Sequence, residues 1–248
     1  MIKTSGLFNT WPHSRYGRFE TRRMSRRFFL LLLVIYPITV LADGEWNRVS
    51  DDDGVTLYNR TLKGRAASEV KGTCVVDRPI EAVASLLSDI ASYPKWFFRC
   101  IQSRKIPHTN SADFHFLLYV VIDTPWPFAD RDVVYQVETT IDHAAQKVIV
   151  RSTAIHAPWV APKTNTVRIT DSQLQWTLEQ QSSAQTRITF INRTHAAGFW
   201  GDVISDSGVH ATTLYSLKKL KRLLKSSHSH RGTSITGHGA FSRMVMPI

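Results

Sequence analysis

Cysteine is scarce in this chain: 248 residues contain two, Cys74 and Cys100. No disulfide framework can be built from one pair, and a single Cys74–Cys100 bridge in an oxidising compartment is the one option left open. The paired Cys and His spacings of a zinc site are missing, so no metal is expected. Gly-x-Ser-x-Gly, His-Glu-x-x-His and the phosphate-binding glycine loop are missing too, and no cofactor is implied. Acids are nearly absent from both ends. Residues 1–42 hold seven Lys and Arg against Glu20 alone, and Lys225, Arg231 and Arg243 follow residue 224 with no acid. The formal charge of +11 is therefore terminal: the middle carries 21 basic and 19 acidic residues. That balance gives no basic stripe for phosphates and argues against a nucleic-acid partner.

What is present begins with 43% hydrophobic residues, enough for a real core and too many for disorder throughout. From Met24 the order is a basic patch (Arg26, Arg27), an apolar run from Phe28 to Leu41 and a small-residue site, the order of a secretory signal peptide. Pro37 interrupts the run, which stops short of the roughly 20 residues of a spanning helix. Val40 and Ala42 would occupy the −3 and −1 positions of cleavage, leaving Asp43 as the mature N-terminus in the periplasm. An uncleaved anchor is the alternative. Ser25-Arg26-Arg27-Phe28-Phe29-Leu30 also matches most of the twin-arginine export pattern, and the 23 residues before Met24 read as a start assigned too far upstream.

Residues 43–225 form the expected folded domain and 226–248, rich in Ser, His and Gly, a disordered tail. An acidic turn ending at Gly54 leads to a short alternating strand, with Trp46 expected to cap the core beside it. Ser68 to Val76 reads as a second strand, and Pro79 opens a helix in which Ile80, Val83, Ala84, Leu87 and Ile90 recur at helical spacing until Tyr93-Pro94 ends it. Strands follow at 113–123, 131–139, 147–155, 165–170, 174–178 and 187–191. The stretch from Trp200 to Leu224 is a long amphipathic helix weakened at Gly201 and Gly208. The expected class is α+β, a curved antiparallel sheet gripping the last helix. Alternation turns Phe116, Leu118, Val120, Val133, Tyr135, Val137, Leu174, Trp176 and Leu178 inward under a helix offering Trp200, Val203 and Ile204. These twelve residues either line an apolar pocket or fill one another as a solid core.

Several local patterns resemble the START superfamily in order: Gly54, Val55, Leu57, Tyr58 and Arg60; Pro79, Glu81, Val83, Leu86 and Asp89; Tyr93-Pro94 with Trp96; Pro125 and Pro127 leading to Arg131-Asp132-Val133-Val134; Val167-Arg168; Trp176; and Leu217-Lys218 with Leu220-Lys221. The resemblance implies a helix-grip fold with an internal apolar cavity for a lipid, gated by the last helix and a neighbouring loop. It further implies a monomer that touches membranes transiently and does no chemistry on its ligand. Some sterol-binding members use an inward acid and arginine; Leu118 and Val137 stand at those positions here, which favours an acyl lipid. The family's Asp-Pro-Gly-Gly before the last helix is replaced by His195 to Gly201, where Phe199 and Trp200 could meet a bilayer.

Related helix-grip proteins include polyketide cyclases, so acid–base residues matter. His115 points outward by parity and His156 sits in a loop. His195 and His210 are within reach of a cavity mouth, though as solvated or capping groups they need no catalytic role. Arg131-Asp132 reads as an ion pair holding a loop to the sheet. A third reading is a non-catalytic interaction module with a filled core.

Overall fold

The computed structural model describes residues 44–62, 68–107, 114–196 and 201–226. The signal-like segment, Trp200 and the tail from 227 lie outside the described residues. Described elements run β1 (Asn47–Asp52), β2 (Val55–Thr61), β3 (Ser68–Val76), α1 (Ile80–Ser88), α2 (Tyr93–Trp96), β4 (Cys100–Ile106), β5 (His115–Ile122), β6 (Asp130–Asp142), β7 (Lys147–Ala154), β8 (Thr166–Ile169), β9 (Asp171–Ser182), β10 (Gln185–His195) and α3 (Gly201–Ser226). None of these helices is long and apolar enough to cross a membrane.

The strands form one sheet in the order β1-β2-β3-β10-β9-β7-β6-β5-β4, antiparallel along that path, with β8 beside β6 in parallel. Edges remain at β1 and β4, so the sheet is not a closed barrel. One core joins its inner face to α1 and α3: Val55, Val70, Val83, Val133, Leu178, Ile188, Leu217 and Leu220 are almost fully buried within it. The expected arrangement of a sheet gripping the last helix is therefore present. Gly72 on β3 makes it possible, because a Cβ there would come within 2.4 Å of Leu217 Cδ1 and 2.9 Å of Thr213 Cγ2 on α3.

Three local expectations are corrected. Helix α1 ends at Ser88 rather than at Tyr93-Pro94; a 3-10 turn, Ile90–Ser92, follows, and Pro94 sits in the first turn of α2, where its missing N–H costs nothing. Strand β1 precedes the Asp53-Gly54 turn, both of whose residues take positive φ, 56° and 68°, giving the two-residue turn that fits a twisted hairpin. Trp46 does not cap the core: half-buried, it packs under Arg60 and Lys71, each with its charge 4.5 Å from the ring centroid.

The outer face of the sheet is covered as well. The segment after β7 crosses it, and Ala157 and Val160 bury Leu117, Tyr119, Val121 and Val134 in a second core. Below it Asp132 accepts from Arg168 Nε at 2.8 Å, Arg168 Nη2 at 2.9 Å and the Tyr119 hydroxyl at 2.9 Å. Arg168 also donates to the Val160 carbonyl at 3.0 Å. Burial works against the Asp132 charge, but Arg168 and Tyr119 outweigh it and hold the carboxyl below its ordinary range. Asp132 thus pairs with Arg168 and not with Arg131: successive strand residues point to opposite faces. Cys74 and Cys100 are both buried and free, and burial pushes each thiol up to about 11, leaving neither reactive at neutral pH.

Candidate functional site

Between the inner face and α3 lies a hollow of about 100 Å³. At one end its wall residue Phe97 backs onto a cluster of aromatic rings. Trp176 and Phe190, paired across β9 and β10, stack with centroids 3.8 Å apart, and Trp96 meets Trp176 edge-on at 5.7 Å. Phe97 leans on Phe190 and Trp96 and turns its remaining surface to the hollow. Such packing adds about 0.5–1.5 kcal/mol per ring pair beyond burial, and the rings form an aromatic plug.

The walls come from β5 (Val120, Ile122), β6 (Arg131, Val133, Tyr135), β8 (Ile169), β9 (Leu174), β10 (Asn192, Thr194) and α3 (Gly208, Val209, Thr212), with Thr124 and Ala196 from the adjoining loops. Of the residues singled out from sequence, the structure brings Val120, Val133, Tyr135 and Leu174 to this space. Phe116, Leu118, Val137, Trp176 and Leu178 are buried in the same core but are not among the hollow's walls. Val203 and Ile204 fall on the described backbone of α3, and nothing is described of their side chains.

Parity could have found several of the walls that sequence reasoning passed over. Asn192 and Thr194 share a face with Ile188 and Phe190, so polar side chains on an inward register were visible in β10. Arg131 likewise shares its face with Val133 and Tyr135. Phe97 and the α3 residues carry no such signal, because their placement depends on how helices cross the sheet.

The polar groups are organised. The Thr194 hydroxyl donates to Asn192 Oδ1 at 2.8 Å, Ser172 lies 2.7 Å from Thr194, and the Tyr135 hydroxyl lies 2.9 Å from Ser172. Since Thr194 gives its proton to Asn192, the chain runs from Tyr135 through Ser172 to Thr194. Burial pushes the Tyr135 hydroxyl up to about 12, so it stays protonated. Arg131, almost fully buried, donates through Nε to the Ala196 carbonyl at 3.0 Å and through Nη1 to the Ala129 carbonyl. No His, Cys, Asp, Glu or Lys is among the described walls. His115 and His156 are exposed, and His195 and His210 are half-buried outside them. Among the described residues no cluster of three metal-ligating side chains occurs.

No family model matches the chain. An uncharacterized protein of Pseudomonas aeruginosa is 23% identical over 177 residues, 71% of this chain and 85% of that protein. A STAR-related lipid transfer protein from Xanthomonas axonopodis superposes with TM-score 0.63 at 22% identity, covering 73% of this chain and 98% of that structure. Human StAR-related lipid transfer protein 5 superposes with TM-score 0.66 at 16% identity, covering 74% and 88%. Human STARD10 gives 0.65 at 20% identity, covering 74% of each chain. At these identities the likeness is one of architecture, and it establishes that the chain carries the START-type helix-grip fold.

Proposed function

We propose that the protein binds a lipid in the hollow between sheet and α3 and carries it between membranes of the periplasm, without chemistry on the ligand. The observation that carries this reading is the hollow itself, floored by an aromatic plug and walled by Val120, Ile122, Val133, Ile169, Leu174 and Val209. Burying an acyl chain there gains roughly 25 cal/mol per Å² of apolar surface removed from water. The names of the solved relatives support the reading, and so does the signal-like N-terminus. At about 100 Å³ the space is smaller than the roughly 300–1,000 Å³ of ordinary ligand pockets. Loading therefore requires the wall made by Gly208, Val209 and Thr212 to move outward.

Trp126 is suited to the membrane contact. It is 92% exposed in the loop between β5 and β6, two residues from Thr124 in the wall. Tryptophan prefers the bilayer–water interface, where an apolar ring with one polar N–H is least penalised. The wall residues also favour binding over cyclase chemistry, since the groups there with titratable protons are Arg131 and Tyr135, neither of which exchanges one near neutrality.

The test is native mass spectrometry of the protein isolated from the periplasm, followed by solvent extraction. A stoichiometric lipid is expected, and Val133→Trp, which fills the hollow, should remove it. A clean mass unchanged by incubation with liposomes would sink the reading.

A further inference from the structure

A run of hydroxyls crosses the inner face of the sheet and ends on one amide. The Tyr135 hydroxyl on β6 lies 2.9 Å from Ser172 on β9, Ser172 lies 2.7 Å from Thr194 on β10, and Thr194 lies 2.8 Å from Asn192 Oδ1. All four side chains share the inward parity of Val133, Leu174 and Phe190. Tyr135, Asn192 and Thr194 stand in the wall of the hollow, and Asn192 is only 2% exposed.

The direction of the chain fixes what is left over. A phenol is a better donor and a poorer acceptor than an aliphatic hydroxyl, and among the described residues the Tyr135 hydroxyl meets Ser172 alone. With Tyr135 giving to Ser172, Ser172 gives to Thr194 and Thr194 to Asn192, so all of these hydroxyl protons are used. In the reverse direction the Tyr135 proton would be stranded in the interior, a buried bond left unmade. The carboxamide of Asn192 is therefore held by its oxygen, and among the described residues nothing accepts from Nδ2. A buried amide held in this way presents its unused donor to whatever fills the hollow.

The position of Asn192 narrows that occupant. Asn192 pairs with Leu174 on β9, Leu174 with Ser152 on β7, and Ser152 with Val137 on β6. Arg131, the charged side chain of the described walls, stands six residues along β6 from that register, whereas the next inward residues beside Asn192 and Leu174 are Phe190 and Trp176 of the aromatic plug. An anion here would be buried with one neutral amide as its partner, which does not offset the loss of its hydration. A hydroxyl would bring a further proton to oxygens that each accept one already. A carbonyl brings an acceptor alone, which is what the site lacks.

We propose that Asn192 is the residue by which the hollow selects its ligand, donating through Nδ2 to a neutral carbonyl oxygen, of an ester, amide or ketone, carried in the buried apolar part of the molecule. This deepens the lipid-binding reading and rests on it. An occupant without such an oxygen strips Nδ2 of water and returns no bond, so the amide should shift selectivity towards the carbonyl by about tenfold.

The experiment titrates the protein, expressed from the full chain, with 2-heptanone, 2-heptanol and heptane, followed by tryptophan fluorescence, in the unaltered form and in Asn192→Leu. Because heptane leaves water more readily than the ketone whatever the site, the quantity read is the change in their affinity ratio between the two forms. Expected are tighter binding of the ketone than of the alcohol in the unaltered protein, and a ketone-to-heptane affinity ratio that falls about tenfold in Asn192→Leu. A ratio that does not move, or a loss shared equally by all three probes, overturns the role of Asn192 and leaves lipid binding standing. Binding of the alcohol as tight as that of the ketone, or tighter, overturns the carbonyl. If none of the three binds, lipid binding itself fails and this inference falls with it. Should Asn192→Leu not fold, the side-chain amide resonances of Asn192 in the unaltered protein decide. The ketone should move a proton on Nδ2 downfield and heptane should not; equal shifts overturn the proposal.

Discussion

On its sheet side the hollow is bounded by β5 and β6, strands buried on both faces, whereas on its helix side it is bounded by Gly208, Val209 and Thr212, at the start of the part of α3 whose side chains are described. The sheet wall is braced from behind by the second core and by the Tyr119–Asp132–Arg168 cluster. Among the described residues, the polar ties of the helix to other elements lie further along. There Leu217 and Leu220 are fully buried, the Ser216 hydroxyl accepts from the Phe98 N–H at 2.9 Å, and Lys218 and Lys221 hold Asp52 and the Asp53 carbonyl at the β1–β2 turn. A wall braced on both faces and a wall anchored at a distance respond differently to the same push, so an enlarging hollow enlarges on the helix side.

The largest expected effect comes from removing the brace. Asp132→Asn removes a fully buried carboxylate, leaves the half-buried Arg168 guanidinium without its partner and should cost about 3–5 kcal/mol by urea unfolding at neutral pH. Because the folded-state carboxyl of Asp132 is held below its ordinary range, its contribution is fully present above pH ~3.9. It is lost as the pH falls through the lower folded value, so the gap between parent and variant should close in acid. A gap that stays constant with pH would mean that the charge does not brace the sheet. Leu217→Ala, at the anchored end of α3, should cost about 2–5 kcal/mol. Gly72→Ala drives a methyl into Leu217 and should cost about 1–3 kcal/mol, read as a lower midpoint with an unchanged slope.

At the hollow end the sign reverses. Gly208→Ala should stabilise α3 by up to about 1 kcal/mol while weakening or slowing ligand uptake, because it stiffens the movable wall and adds a methyl beside the space. Faster uptake would place the opening elsewhere. The smallest effect belongs to Lys218→Ala. Its 2.7 Å pair with the half-exposed Asp52 should be worth under about 1 kcal/mol and should fade in high salt.

Much of this architecture was legible from alternation. Strands β2, β3, β6, β7 and β9, helix α1 and the long α3 follow from periodicity, because each has one face buried against the inner core. Elements without a patterned face were not legible. In β1 nearly every residue is exposed, and β4 is buried only at its two ends, so neither alternates. The second core shows in sequence only as the unbroken run Phe116 to Ile122, which signals burial on both faces without saying by what. Within the site, parity places Val120, Val133 and Tyr135 inward, and the same rule places Arg131 with them. Reading Arg131 and Asp132 as an ion pair takes neighbours in sequence for neighbours in space. Parity cannot tell Val120, which meets the hollow, from Leu118, which does not: both face inward, and the difference lies in what crosses from Phe97 and α3.

The aromatic plug gives the protein an optical gauge of its own. Trp96 and Trp176 stand 5.7 Å apart with their planes 81° to one another, an arrangement whose transition moments couple and give a signed near-ultraviolet circular dichroism signal. Phe97 touches both the hollow and the Trp96 ring, so an occupant that displaces Phe97 turns one chromophore against the other. The filled and empty forms should then differ in colour-blind solution spectra without any label, and a stopped-flow trace of that signal would time the arrival of the ligand.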